Sequence, residues 1–93
     1  MTDININNLL VERGAHYGEF KNQAVVAQLL KRTIEVQLAA RNRQLAADKQ
    51  EALDMICHKI ARIINGDPDY SDSWADIAGY AKLIADRLIK EGK

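Results

Sequence analysis

The apolar residues between positions 53 and 88 fall into two runs of helical spacing separated by a turn. Leu53, Ile56, Ile60 and Ile63 recur at intervals of three and four, and Trp74, Ile77, Ala81, Ile84 and Leu88 continue the same alternation. That period puts each run on one stripe of a helix, and such a stripe must be buried against another element. Between the runs, Asn65-Gly66 ends a helix and DPDY at 67–70 makes a turn. A connection this short returns the second helix antiparallel to the first. Whatever else the chain does, it must accommodate this helical hairpin.

The remaining segments extend the hairpin into a bundle. A short first helix is predicted over about Ile4 to Arg13, with Asp3 as N-cap, Gly14 as its stop, and Ile6, Leu9 and Leu10 as its buried face. GAHYG at 14–18 reads as a connector closed by glycines. The second helix is predicted from about Glu19 to Arg41, with Val25, Val26, Leu29, Leu30 and Ile34 as its apolar side. Val36 and Leu38 fall on other faces, which makes this helix either central or part of an interface. Residues 41–49 are either a break or a continuation. Asp48 followed by Glu51 matches a capping box and puts a helix start there, and Arg41, Arg43 and Lys49 read as a solvated helix end. The third helix then runs from about Lys49 to Ile64, and the fourth from Ser71 or Asp72 to about Lys90. The expectation is one all-α domain over residues 1–93, a small helical bundle of three main helices plus a short N-terminal one. Its small size and doubly apolar second helix predict a homo-oligomer.

Charge and cysteine content narrow the function. The 13 basic and 13 acidic residues cancel, which argues against a general polyanion binder, so nucleic acid is not an expected partner. The lone Cys57 cannot form an internal disulfide. With His58 beside it and no C-x-x-C spacing it is no zinc site either, and it reads as core. The start MTDININNLL lacks the basic head and apolar run of a signal peptide. No stretch approaches the roughly 18 apolar residues of a membrane span. A reducing cytoplasm and no membrane partner are expected.

Chemistry concentrates near the bend of the hairpin. Asp54, His58 and Arg62 share a stripe on the third helix, with Glu51 one turn earlier and Lys59 alongside. Asp72 and Asp76 lie at the start of the fourth. Folding back brings Lys59 and Arg62 towards Asp72 and Asp76. In one reading these are structural ion pairs that fix register. In the other they face a cleft, where Asp72 and Asp76 hold Mg²⁺ while Lys59 and Arg62 neutralise phosphate. The loop GDPDYSD imitates the first ligands of a calcium loop at Asp67, Asp69 and Ser71. It fails at Asp72, where glycine is needed, and at Ala78, where glutamate is needed. Gly79, before Tyr80, costs helix stability and suggests a close approach by a backbone or a ligand. Arg13, His16 and Tyr17 cluster before the second helix, whose N-terminus can receive an anion. Alternatively, Tyr17 and Phe20 plug the bottom of the bundle.

Taken together, R-x-x-x-Y-G at Arg13, Tyr17 and Gly18, K-x-x-R at Lys59 and Arg62, and DSWADIAGY from Asp72 to Tyr80 resemble small uncharacterised proteins carried by phages and prophages. The resemblance covers most of the chain and implies residence in the host cytoplasm. More distantly the layout is similar to the MazG-like all-α NTP pyrophosphohydrolases. This second likeness implies a Mg²⁺-dependent nucleotide-phosphate site, with Glu51, Asp54, Asp72 and Asp76 as metal ligands and Lys59 and Arg62 on phosphate. Arg13, His16, Tyr17 and Tyr80 would be its pocket walls. The sequence departs from that family in having no E-x-x-E pair, and Asp72 and Asp76 are four apart. The competing expectation is a non-enzymatic helical module that binds a host or phage protein.

Overall fold

The computed structural model describes residues 5–93 and contains four helices: α1 (Ile6–Tyr17), α2 (Phe20–Ala40), α3 (Ala47–Asn65) and α4 (Ser71–Lys90). The fold is all-α. α3 is the middle of the molecule, with α2 on one flank and α4 on the other. Among the described residues α2 and α4 do not touch, and α1 lies across α2 and α3. The three long helices therefore form one layer, with α1 on one of its faces.

Small side chains set how closely the helices of this layer approach. The buried apolar residues are Ala27 on α2 and Ala52, Cys57 and Ala61 on α3. Two polar pairs fix the register of the α3–α4 hairpin. Lys59 Nζ lies 3.0 Å from Asp76 Oδ2 near the bend, and at the far end the Arg87 guanidinium forks onto both oxygens of Asp48. Pairs at both ends of the hairpin require the antiparallel arrangement that the short turn predicts.

Several boundaries and faces differ from the sequence expectation. The Asp3 cap and the Ile4 start lie outside the described residues, and Asn5 caps α1 by accepting from the Asn8 N–H. Gly14 does not stop α1. The helix runs on to Tyr17, because the break is Gly18, whose φ of 77° excludes a side chain. Ile6, Leu9 and Leu10 are exposed, and α1 buries no residue. Phe20 is exposed rather than a plug. Asp48 sits inside the first turn of α3 and faces Arg87, so it is not the cap. A break at 41–46 separates α2 from α3. On α4 Ser73 is buried and Ile77, Tyr80, Ile84 and Leu88 are half-buried, an inward line rotated from the predicted stripe. Trp74 and Ala81 point outward, and the Trp74 indole is held by donating to the Pro68 carbonyl at 2.8 Å.

The two connectors at one end of the layer interlock. The Asn65 side-chain amide donates to the carbonyls of Tyr17 (2.8 Å) and Glu19 (3.0 Å), and the Asp67 N–H donates to the His16 carbonyl at 2.7 Å. Those to His16 and Tyr17 satisfy carbonyls that the end of α1 would otherwise leave orphaned. The approach is so close that a β-carbon on Gly18 would overlap Asn65, and one on Gly66 would overlap His16 and Tyr17. Gly79, by contrast, faces open space, so the expected close approach there does not occur.

Gly66→Ala should therefore destabilise the fold by more than about 3 kcal/mol, since backbone must move to admit the methyl group. Gly79→Ala should stabilise it by up to about 1 kcal/mol through helix propensity alone. Urea unfolding of both variants checks the contrast.

Candidate functional site

The interlocked connectors place the last turn of α1 over α3. The Arg62 guanidinium stacks on the Tyr17 ring, 4.1 Å from its centroid, a favourable cation–π contact. Arg62 Nε is enclosed and has no hydrogen-bond partner. Beside it opens a cleft of about 480 Å³ between α1, α2 and α3, walled by Arg13, Tyr17, Phe20, Gln23, His58 and Arg62. Glu19 is the only carboxylate on its wall. Among the described residues, no carboxylate forms an ion pair with Arg13 or Arg62.

Gln23 and His58 form the inner end of this cleft. Gln23 is 3% exposed, and its amide nitrogen lies 3.4 Å from His58 Nε2. With the Gln23 amide nitrogen facing it, a neutral His58 that carries its proton on Nδ1 can accept at Nε2. Burial favours that neutral form, and the charges of Arg62, Lys59 and Lys31 reinforce it, so His58 titrates below the ordinary imidazole range. Neighbouring Cys57 is buried, and burial followed by the charge of Asp54 raises its thiol pKa. It remains protonated and unreactive, as a core cysteine does.

The predicted site residues divide between different places. Lys59 meets Asp76, as the hairpin argument requires. Arg62 does not pair with Asp72 or Asp76: one turn on from Lys59, it lies on the neighbouring face of α3 and stacks under α1 on Tyr17. Asp72 instead accepts from the Tyr70 hydroxyl at 3.0 Å, and that hydrogen bond raises the tyrosine pKa. His16 is not on the cleft wall; it stacks on Tyr70 with ring centroids 3.9 Å apart. Tyr80 lies apart from Arg13 and Tyr17, in a shallow groove with Ala75, Asp76, Gly79 and Leu83.

The four carboxylates expected to bind metal do not converge. Asp54 accepts from Gln50 at 3.1 Å, Asp76 holds Lys59, Asp72 holds Tyr70, and Glu51 is exposed. Among the described residues no three His, Cys, Asp or Glu side chains are grouped to hold an ion. This donor set does not fit a magnesium ion held by the protein alone.

Sequence reasoning missed Gln23 and Phe20 as cleft residues and read His58 only as part of a stripe. Gln23 had a visible signal, an amide on the inward line of α2 with Ala27 and Ile34. Phe20 had none, because its role depends on where α1 ends.

Over residues 5–88 the chain matches the family described as Domain of unknown function (DUF6378), and it belongs to that family. No curated protein and no solved structure matches it. No helix among the described residues is long and apolar enough to cross a membrane.

Two outcomes follow from the polar interior. The Lys59 side chain is 11% exposed and that of Asp76 47%, so removing the acid strands a mostly buried ammonium. Asp76→Ala is expected to cost about 2 kcal/mol in chemical denaturation, and Lys59→Met clearly less. For His58, the unfolded chain takes up a proton near pH 6.5 that the folded ring resists. Stability should fall as pH drops through that range and level off below the lowered folded value. His58→Gln should flatten this part of the stability–pH curve.

Proposed function

We propose that the protein binds the phosphate groups of a nucleotide in the cleft between α1 and α3, with Arg62 and Arg13 as the anion ligands. The observation that carries this reading is the Arg62 guanidinium, a cleft-wall side chain whose Nε is enclosed and unpartnered. A buried donor left without an acceptor costs about 1–3 kcal/mol. A guanidinium fork matches phosphate oxygens in both geometry and charge. The cleft volume lies within the range of small-ligand sites, and Gln23 and His58 supply the few polar groups that orient a ligand there. Phe20, exposed at the rim, offers a ring on which a base can stack.

Lys59, expected from sequence as a phosphate ligand, drops out because Asp76 already neutralises it. The MazG-like likeness supports a nucleoside triphosphate as the ligand class, and the DSWADIAGYA resemblance supports a phage-associated setting. In this reading Mg²⁺ accompanies the phosphates as their counter-ion and is not held by the four carboxylates. Binding is what the geometry supports. No hydrolytic step is assigned, because the carboxylates it would need are engaged elsewhere or do not converge. One observation favours the non-enzymatic module: α1 buries nothing and exposes Ile6, Leu10 and Val11, a surface suited to a host or phage protein.

Calorimetric titration with nucleoside triphosphates and with inorganic triphosphate, each with and without Mg²⁺, separates the two. Binding is expected, weakened about 10- to 100-fold by Arg62→Gln for the loss of a charge-assisted hydrogen bond. Glu19→Gln should strengthen it by removing the one like charge on the wall. If no nucleotide and no triphosphate binds the wild-type chain, the interaction module takes its place.

A further inference from the structure

A chain folded alone with this structure has too much surface. It exposes 6882 Å², whereas a compact monomer of 10.4 kDa exposes about 5400 Å². Its radius of gyration is 15.9 Å, against about 12 Å for a compact domain of this length. The core agrees with both figures. Among the described residues no large side chain is fully buried, and the buried apolar residues are three alanines and a cysteine. Leu53, Ile56, Ile60 and Ile63, spaced for a bundle seam, are only half-buried.

The missing cover belongs on the face of the layer opposite α1. At 100° per residue, Leu53, Ile60 and Ile64 share a stripe on α3 directly opposite Arg62, which lies under α1. Ile64 is 63% exposed. The same geometry continues that stripe onto α4. There Trp74 and Ala81 lie seven apart beside the inward line, on its side away from Asp76, and Leu88 at the edge of that line continues the spacing. Trp74 is more than half exposed. Leu29 and Val36 do not belong to this face: they lie on the far side of α2 from its inward line of Gln23, Ala27 and Ile34. Two neighbouring helices thus present apolar residues at seven-residue spacing, the pattern of a helix–helix seam.

We infer that this face docks against the same face of a second copy of the chain, completing one core between two layers. The excess of about 1500 Å² is the area that each partner of an obligate dimer buries, and such interfaces resemble a domain core cut in half. A second copy fits this face because the excess area matches one partner's share of a homodimer, and an apolar face of this kind can meet itself in a two-fold contact. A two-fold contact through this face leaves α1 and both clefts on the outside.

Light scattering and sedimentation of the full chain test this, together with the concentration dependence of its melting temperature. The expected mass is twice 10.4 kDa, with a melting temperature that rises with protein concentration. Ile64→Glu, at an exposed position, should weaken dimerisation at least about 100-fold. Leu83→Glu, equally exposed on the opposite side of α4, should leave the mass unchanged. A monomeric wild type whose melting temperature is independent of concentration overturns the inference. So does an intact dimer in Ile64→Glu, or a dimer abolished by Leu10→Glu on α1 and not by Ile64→Glu. Should Ile64→Glu fail to fold, the wild-type mass and the Leu83→Glu and Leu10→Glu variants still decide between the faces.

Discussion

The interlock of the two connectors is the constraint on which the rest of the molecule depends. Asn65 gives both hydrogens of its amide to carbonyls at the α1–α2 junction, and the Asp67 N–H takes a third. The His16 and Tyr17 carbonyls would otherwise need water or another cap at the end of α1, while Glu19 O, at the N-cap of α2, accepts the Gln23 N–H as well. The exchange works only because Gly18 and Gly66 let backbone approach backbone. It converts α1, a helix with no buried residue, into a fixed wall. Without it nothing in the packing of α1 would hold Tyr17 over Arg62 or His16 against Tyr70.

The interior is held in register by polar contacts more than by bulk. Lys59, Gln23 and Ser73 are buried beside small apolar residues. Ion pairs in such surroundings add little net stability but penalise misalignment, because a slipped register strands a charge. The same pairing shapes the chemistry. Asp76 and Asp48 are engaged with Lys59 and Arg87, so these carboxylates are taken up by structure. Arg62 and Arg13 are left facing a cleft with a single carboxylate on its wall. A structural brace and a candidate anion site thus share one helix, on residues one turn apart that lie on neighbouring faces.

The layered arrangement also separates two surfaces. The face bearing α1 is concave around Arg62, while the opposite face carries Leu53, Ile60 and Ile64 on α3 and Trp74 on α4. A single layer of three helices cannot bury both sides of its central helix, since α2 and α4 cover only its flanks. α1 closes one face, and the proposed second copy would close the other.

How much of this could be read from the residues depends on the range of the forces involved. Helix content, the α3–α4 hairpin and the meeting of Lys59 with Asp76 follow from apolar spacing and a short turn, all local along the chain. The end of α1 was misplaced because Gly14 and Gly18 look alike in sequence. Only the contact of Gly18 with Asn65, 47 positions away, decides which one breaks the helix. The rotation of α4 was missed for a similar reason: Trp74 is apolar enough for the seam, but the Pro68 carbonyl holds it outside. The cleft was legible only in part. Arg13, Tyr17 and Arg62 stand out as residues, but Gln23, Phe20 and His58 join them through the crossing of α1 over α3. Sequence alone determined the elements and their pairing, because helical period and turn length act between near neighbours. The tertiary structure decided which guanidinium stays unpaired and which face stays uncovered, because both depend on packing between segments far apart in the chain.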